Sequence, residues 1–192
     1  MPEYAIDDWT RFTVGTRSTK RNWTEPSCQP LTSVSHVTHI RQAFDVLRDG
    51  RLLPQLIYDE SRLNTERILV VWLSPNDWSN AGGYRYGNIA FDFDWPRIIA
   101  GKRFYWIGAM SYRPAACRIL VTDQNRDKSL LTYDPTAGNG PWWHDVASNR
   151  HYWNGNYCLE FMLEAPMPLD SVHSLRFVTH HPNRCSIAPR SC

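Results

Sequence analysis

Residues 35–42 read SHVTHIRQ and place His36, Thr38 and His39 within four positions of one another. Side chains of these types at this spacing support three chemistries. Two histidines three apart, joined by His180, His181 and Cys185 near the C-terminus, form a possible metal-ligand set. Their spacing matches no recognised zinc motif, so no metal ligand is assigned. A His-x-Thr motif is also half of a two-histidine phosphoesterase, where one imidazole is the base and a second protonates the leaving group. None of the other six histidines has Thr or Ser two places on, so the second half is missing. The third chemistry needs only one motif: a neutral imidazole and a hydroxyl each donate and accept, as a ribose hydroxyl requires. Far along the chain, NYCLEFMLE offers a carboxylate. Leu159, Phe161 and Leu163 alternate on one strand face, leaving Cys158, Glu160 and Met162 on the other. A mid-strand glutamate usually faces solvent, but Cys and Met are apolar company for one. Glu164 lies on the same face and is the alternative to Glu160.

The elements that must position these residues are legible in outline. Ile40, Ala43, Phe44 and Leu47 fall at i, i+3, i+4 and i+7, which predicts a helix with that face toward the core and Gly50 as its left-handed cap. Strands are predicted at 67–74, 87–94, 103–110, 117–122, 157–164 and 173–180, with a weaker one at 129–134. The second of these alternates Ile89, Phe91 and Phe93 with Ala90, Asp92 and Asp94 and reads as half exposed. WPRIIAG, with its early proline, predicts a short helical turn, and another short helix is expected at about 142–149. Residues 1–33 lack a sustained period and read as an irregular N-terminal arm, leaving 34–192 as a single domain. Many strands with few, irregularly placed helices predict an α+β domain of antiparallel sheets.

Composition narrows the setting. A chain of 192 residues suits one domain with a substantial core. A net charge of +2 does not mark a nucleic-acid binder by itself, although TRSTKRNW (16–23) offers three cations beside Trp23. Nine tryptophans suggest a binding surface as well as a core. Five dispersed cysteines with no C-x-x-C pair favour a reducing, cytoplasmic setting over a disulfide framework. No apolar run reaches the roughly 20 residues of a membrane span.

Three segments carry a family resemblance. HVTHIRQAFDVLRDGRL resembles the opening of ADP-ribosyltransferases, particularly DarT-type toxins, in which H-x-T-H precedes a helix ending in glycine. CLEFMLEAPMPLDSVHSLRFV is similar to the DarT segment where a catalytic glutamate lies on a strand, followed by a proline-containing turn and another strand. YGNIAF is similar to the Tyr-Gly strand start of poly-ADP-ribose-polymerase-like enzymes. Together they span about residues 34–180.

The resemblance implies an ADP-ribosyltransferase-like fold and NAD as co-substrate. It implies Glu160 as the catalytic carboxylate, His36 on the adenosine ribose and Thr38 on the nicotinamide half. Tyr86 would stack on the nicotinamide ring, or Tyr84 if the register differs by two. Ser74 is expected as a further pocket residue. DarT-type enzymes also use an arginine between the first motif and the aromatic strand, and Arg62 and Arg67 both qualify. The role of His39 stays open. A nucleic-acid acceptor (DNA or RNA) is expected first and a protein acceptor second, with an antitoxin or immunity protein as partner of a toxin-like enzyme. A non-enzymatic nucleotide-binding module and a metal-dependent hydrolase are the readings from other classes.

Overall fold

The computed structural model describes residues 28–57, 62–76, 87, 89–110, 116–138, 140–154 and 158–177. In chain order its elements are β1 (Cys28–Pro30), β2 (Ser33–Thr38), α1 (Ile40–Asp49), β3 (Arg51–Leu52), β4 (Gln55–Leu56), α2 (Arg62–Thr65) and β5 (Leu69–Leu73). These are followed by β6 (Ile89–Asp94), α3 (Trp95–Ile99), β7 (Arg103–Met110), β8 (Ala116–Thr122), β9 (Leu131–Thr132) and β10 (Trp142–Asp145). The last are β11 (Arg150–Asn154), β12 (Cys158–Leu163), β13 (Met167–Pro168) and β14 (Val172–Phe177). The chain is therefore α+β and mostly strand, as its patterning predicts.

Helix boundaries follow local chemistry. α1 ends at Gly50, whose φ of 67° is left-handed and suits a residue without a side chain. α3 starts where the Asp94 carboxylate accepts from the Arg97 N–H at 2.9 Å, with Pro96 in its first turn.

Six strands form one sheet in the order β4-β5-β12-β8-β7-β9, and three form another in the order β14-β6-β2. Within the first, β12 and β8 run parallel and the other pairs antiparallel. The two sheets meet where Ser35 and Ser74 exchange backbone hydrogen bonds of 2.8 and 3.0 Å. This junction brings β2, which carries His36, beside β5 and hence next to β12, which carries Glu160. A third sheet, β1-β11-β10, and the β13-β3 pair complete the pairing.

The main core packs around large rings. Trp95 lies 4.0 Å from Phe161, centroid to centroid, and Trp142 meets both edge-on at 5.1 and 5.5 Å. Trp106 and Trp153 are also buried, so much of the tryptophan content belongs to the core. A smaller cluster, including Leu63, Val70, Tyr105, Leu120 and Met162, covers the opposite face of the six-stranded sheet. Leu159, Phe161 and Leu163 join the main core, so β12 is buried on both faces. Among the described residues no helix is long and apolar enough to cross a membrane.

Several expectations are corrected. The stretch expected as a helix near 142–149 is a hairpin of β10 and β11, with Trp142 opposite Trp153 and Asn149 in the turn at φ 52°. Cross-strand burial of these rings outweighs the local break signals. β6 is not half exposed: it is the middle strand of its sheet, and Asp92 is buried. Its carboxylate accepts from the Ser35 and Ser174 hydroxyls at 2.5 Å each and from Arg176. Burial alone would raise the Asp92 carboxyl, but these donors outweigh it and hold the group below its usual range. The face of α1 is turned differently as well: only Ala43 is buried, whereas Ile40, Phe44 and Leu47 are 43, 66 and 49% exposed. Periodicity groups these residues on one face; the helix's packing angle decides how deep that face sits. Within the expected arm, Cys28–Pro30 pair with β11 as a strand. The weak strand at 129–134 shrinks to Leu131–Thr132.

Candidate active site

A cavity of about 300 Å³ opens at the junction of the two sheets, lined by Ser35, His36, Val37, Trp72, Leu73, Ser74, Arg118 and Glu160. An adjoining cavity of about 340 Å³ shares His36, Val37 and Trp72, and adds Thr38, His39, Gln42, Asp45, Asp49 and Arg51 along α1 and β3. Three of the residues expected at the site, His36, Ser74 and Glu160, thus line one cavity, and Thr38 lines its neighbour.

His36 sits on β2, half-buried, with Nδ1 2.8 Å from the Trp72 carbonyl oxygen. A carbonyl only accepts, so Nδ1 carries the proton and Nε2 is left with an accepting lone pair. Burial lowers the His36 pKa and the Trp72 hydrogen bond only partly opposes this, so the ring is neutral. A neutral imidazole in a fixed tautomer is what acceptance from a sugar hydroxyl requires.

Glu160 is 7% exposed on β12, directly opposite Arg118 of β8 in the parallel register. The Arg118 Nε–H donates to Glu160 Oε2 at 2.7 Å, and the guanidinium carbon stands 4.6 Å from the centre of the Trp72 ring. Trp72 pairs with Met162, two residues from Glu160, and so projects from the same sheet face. Neither Arg118 nor Trp72 was picked out from the sequence. The available signal was a lone cation in the apolar run CRILVT, matching a lone anion in CLEFML.

Ser74 has a structural duty. Its hydroxyl lies 2.6 Å from the Leu159 carbonyl as donor and accepts the Asn76 N–H at 3.1 Å, while Asn76 Oδ1 takes the Leu159 N–H at 2.8 Å. Ser74 and Asn76 thereby lock the end of β5 to the strand carrying Glu160. Glu164, the alternative carboxylate, accepts from Thr122 at 2.7 Å and pairs with Arg126, and it lines neither cavity. His39 is exposed at the N-cap of α1 and makes no capping bond with its side chain. Arg67 is exposed in a turn at φ 54° and lines neither cavity, and Arg62 opens α2 with its side chain outside the described residues. Tyr84, Tyr86, His180, His181, Cys185 and the stretch 16–23 also lie outside the described residues. Among the described residues no group of three His, Cys, Asp or Glu side chains is placed to hold a metal.

Two half-buried histidines give the fold an acid-sensitive term. His151 is pushed down to about 4, by burial first and by the neighbouring His144 charge second; the two rings stack at 4.3 Å. His36 is lowered in the same direction. The unfolded chain binds these protons near 6.5, whereas the native state resists them to lower pH. Their contribution is therefore fully present above 6.5 and is lost as pH falls toward about 4. The urea midpoint is expected to drop between pH 7.5 and pH 5, and a His151→Gln variant should show a shallower drop.

No protein-family model, no curated protein and no solved structure matches the chain.

Proposed function

We propose that this protein is an NAD-dependent ADP-ribosyltransferase with an ADP-ribosyltransferase-like fold. The observation that carries the reading is the convergence of His36 and Glu160, 124 positions apart in the chain, on one cavity where two sheets meet. The two cavities, which share His36, Val37 and Trp72 in their walls, are each in the size range of small-molecule sites and together offer room for a dinucleotide. His36 Nε2 accepts a ribose hydroxyl, and Glu160 faces the ribose carbon that reacts. The C1′–N bond to nicotinamide breaks, its electron pair neutralises the pyridinium, and positive charge builds on the sugar. A carboxylate fixed beside that charge stabilises the transition state more than the ground state. The acceptor's nucleophilic atom then bonds to C1′ and loses its proton.

The acceptor proposed first is a nucleic acid, on the strength of the cations and tryptophan in residues 16–23; a protein acceptor is second. A competing reading has a specific observation in its favour. The Arg118–Glu160 pair satisfies the buried carboxylate within the protein, as a non-catalytic nucleotide-binding module would allow.

Incubation with labelled NAD and separate DNA, RNA and protein pools decides between them. Nicotinamide release with label on nucleic acid is expected. NAD binding without nicotinamide release from any pool would overturn the enzyme reading, and label confined to protein would replace the acceptor.

A further inference from the structure

We infer that Arg118 is the positioning residue for Glu160 in this transfer, and that Trp72 in turn positions Arg118; the inference rests on the ADP-ribosyltransferase reading. The two ion-pair partners are adjacent in register on parallel strands, their side chains 8 and 9% exposed, with Arg118 Nε 2.7 Å from Glu160 Oε2. A buried ion pair adds little stability over an apolar pair of similar volume, because the desolvation of both charges offsets their attraction. Fold stability alone therefore does not account for this pair in a cavity wall.

Its consequence is chemical. Burial by itself favours a protonated, neutral carboxyl, which cannot stabilise an oxocarbenium-like carbon. A guanidinium at hydrogen-bond distance favours the charged carboxylate, and its Nε–H, fixed in the guanidinium plane, directs Oε2. The Trp72 ring limits where the guanidinium can go, and the Trp72 carbonyl also fixes His36. One residue of β5 thus ties both sides of the cavity to one frame. Among the residues that line the cavity with Glu160, the charged or titratable ones are Arg118 from β8 and His36 from β2. Further along its own strand, Glu164 is matched by Arg126.

The test is a pH titration of the Glu160 carboxyl by carbon NMR in ¹³C-glutamate-labelled protein, which needs no turnover. It is run beside pH profiles of nicotinamide release. In Arg118→Met the Glu160 midpoint should rise by about 1 to 3 pH units, and the acid limb of kcat should move up with it. On the plateau above that limb, kcat should still fall about 10-fold from the lost positioning of the carboxylate, while KM for NAD stays nearly constant. Arg118→Lys keeps the charge without the rigid guanidinium plane, so its Glu160 midpoint should stay closer to that of the wild type and part of kcat should return. If Arg118→Met does not fold, Arg118→Lys carries the test through a lowered kcat at constant KM. An unmoved Glu160 midpoint in Arg118→Met, or wild-type kcat in either variant, overturns the inference. Absence of nicotinamide release from the wild type would instead remove the enzyme reading, whatever the titration gives.

Discussion

Replacing Glu160 by glutamine is expected to lower nicotinamide release about 10²–10³-fold, the usual cost of removing one fixed electrostatic contact to a developing charge. The effect should fall on kcat, with KM for NAD changed little, because the charge the carboxylate opposes exists only on the way to the transition state. Glutamine is the informative choice. Its carbonyl oxygen can still accept the Arg118 Nε–H, whereas alanine would leave the guanidinium buried without a partner. Breaking a buried pair by deleting one member costs about 3–5 kcal/mol, which would confuse lost activity with lost fold. Circular dichroism and NAD affinity of the glutamine variant separate the two. A fully active, folded Glu160→Gln protein would sink the catalytic assignment, and Glu164 would not inherit it, since Arg126 and Thr122 hold that carboxylate away from the cavities.

Gly87→Ala is expected to damage the same site from its backbone side. Gly87 has a φ of 150°, and a Cβ there would lie 1.9 and 2.0 Å from the carbonyl carbon and oxygen of Thr38 and 2.4 Å from the His39 nitrogen. These are main-chain atoms at the link between β2 and α1, so no side-chain rotation relieves the collision. The Thr38–His39 peptide would have to move, with Thr38 and α1. A loss of at least about 3 kcal/mol of folding stability is expected, at the upper end for overpacking. Gly50→Ala is the matched control: it also has positive φ, but nothing lies within 4 Å of its Cβ position, so its cost is about 1–2 kcal/mol of backbone strain. Urea midpoints compare them directly. Equal destabilisation of the two variants would show that the close approach at Gly87 is not rigid. A Gly87→Ala protein that folds should bind NAD poorly, because Thr38 and His36 share the displaced strand.

The YGNIAF segment illustrates what a sequence can convey. The glycine was singled out as part of a strand start, but its physical reason, contact with the Thr38 backbone, exists only after β2 and β6 pair. His36 and Glu160 were legible because each is an exception in a simple local pattern: a histidine at a strand-to-helix turn and a carboxylate among apolar residues. Arg118 is an exception of the same kind in CRILVT, yet it gained meaning only when β8 became the parallel neighbour of β12. The stretch at about 142–149 reads as a helix because Gly and Pro before it mark a break, while the burial of Trp142 against distant Trp95 and Phe161 fixes a hairpin.

The sequence by itself determined the period-2 and period-3.6 segments, the Gly50 stop of α1 and the face of β12 on which Glu160 stands, because these depend on residues within a few positions of one another. The tertiary structure decided the strand order, the depth of the α1 face, the duty of Ser74 and the joining of His36, Trp72, Arg118 and Glu160 around one cavity. Each of those depends on which buried surfaces meet across long stretches of chain. Such pairing is fixed by the combined burial and hydrogen bonding of the whole sheet, which no local window contains.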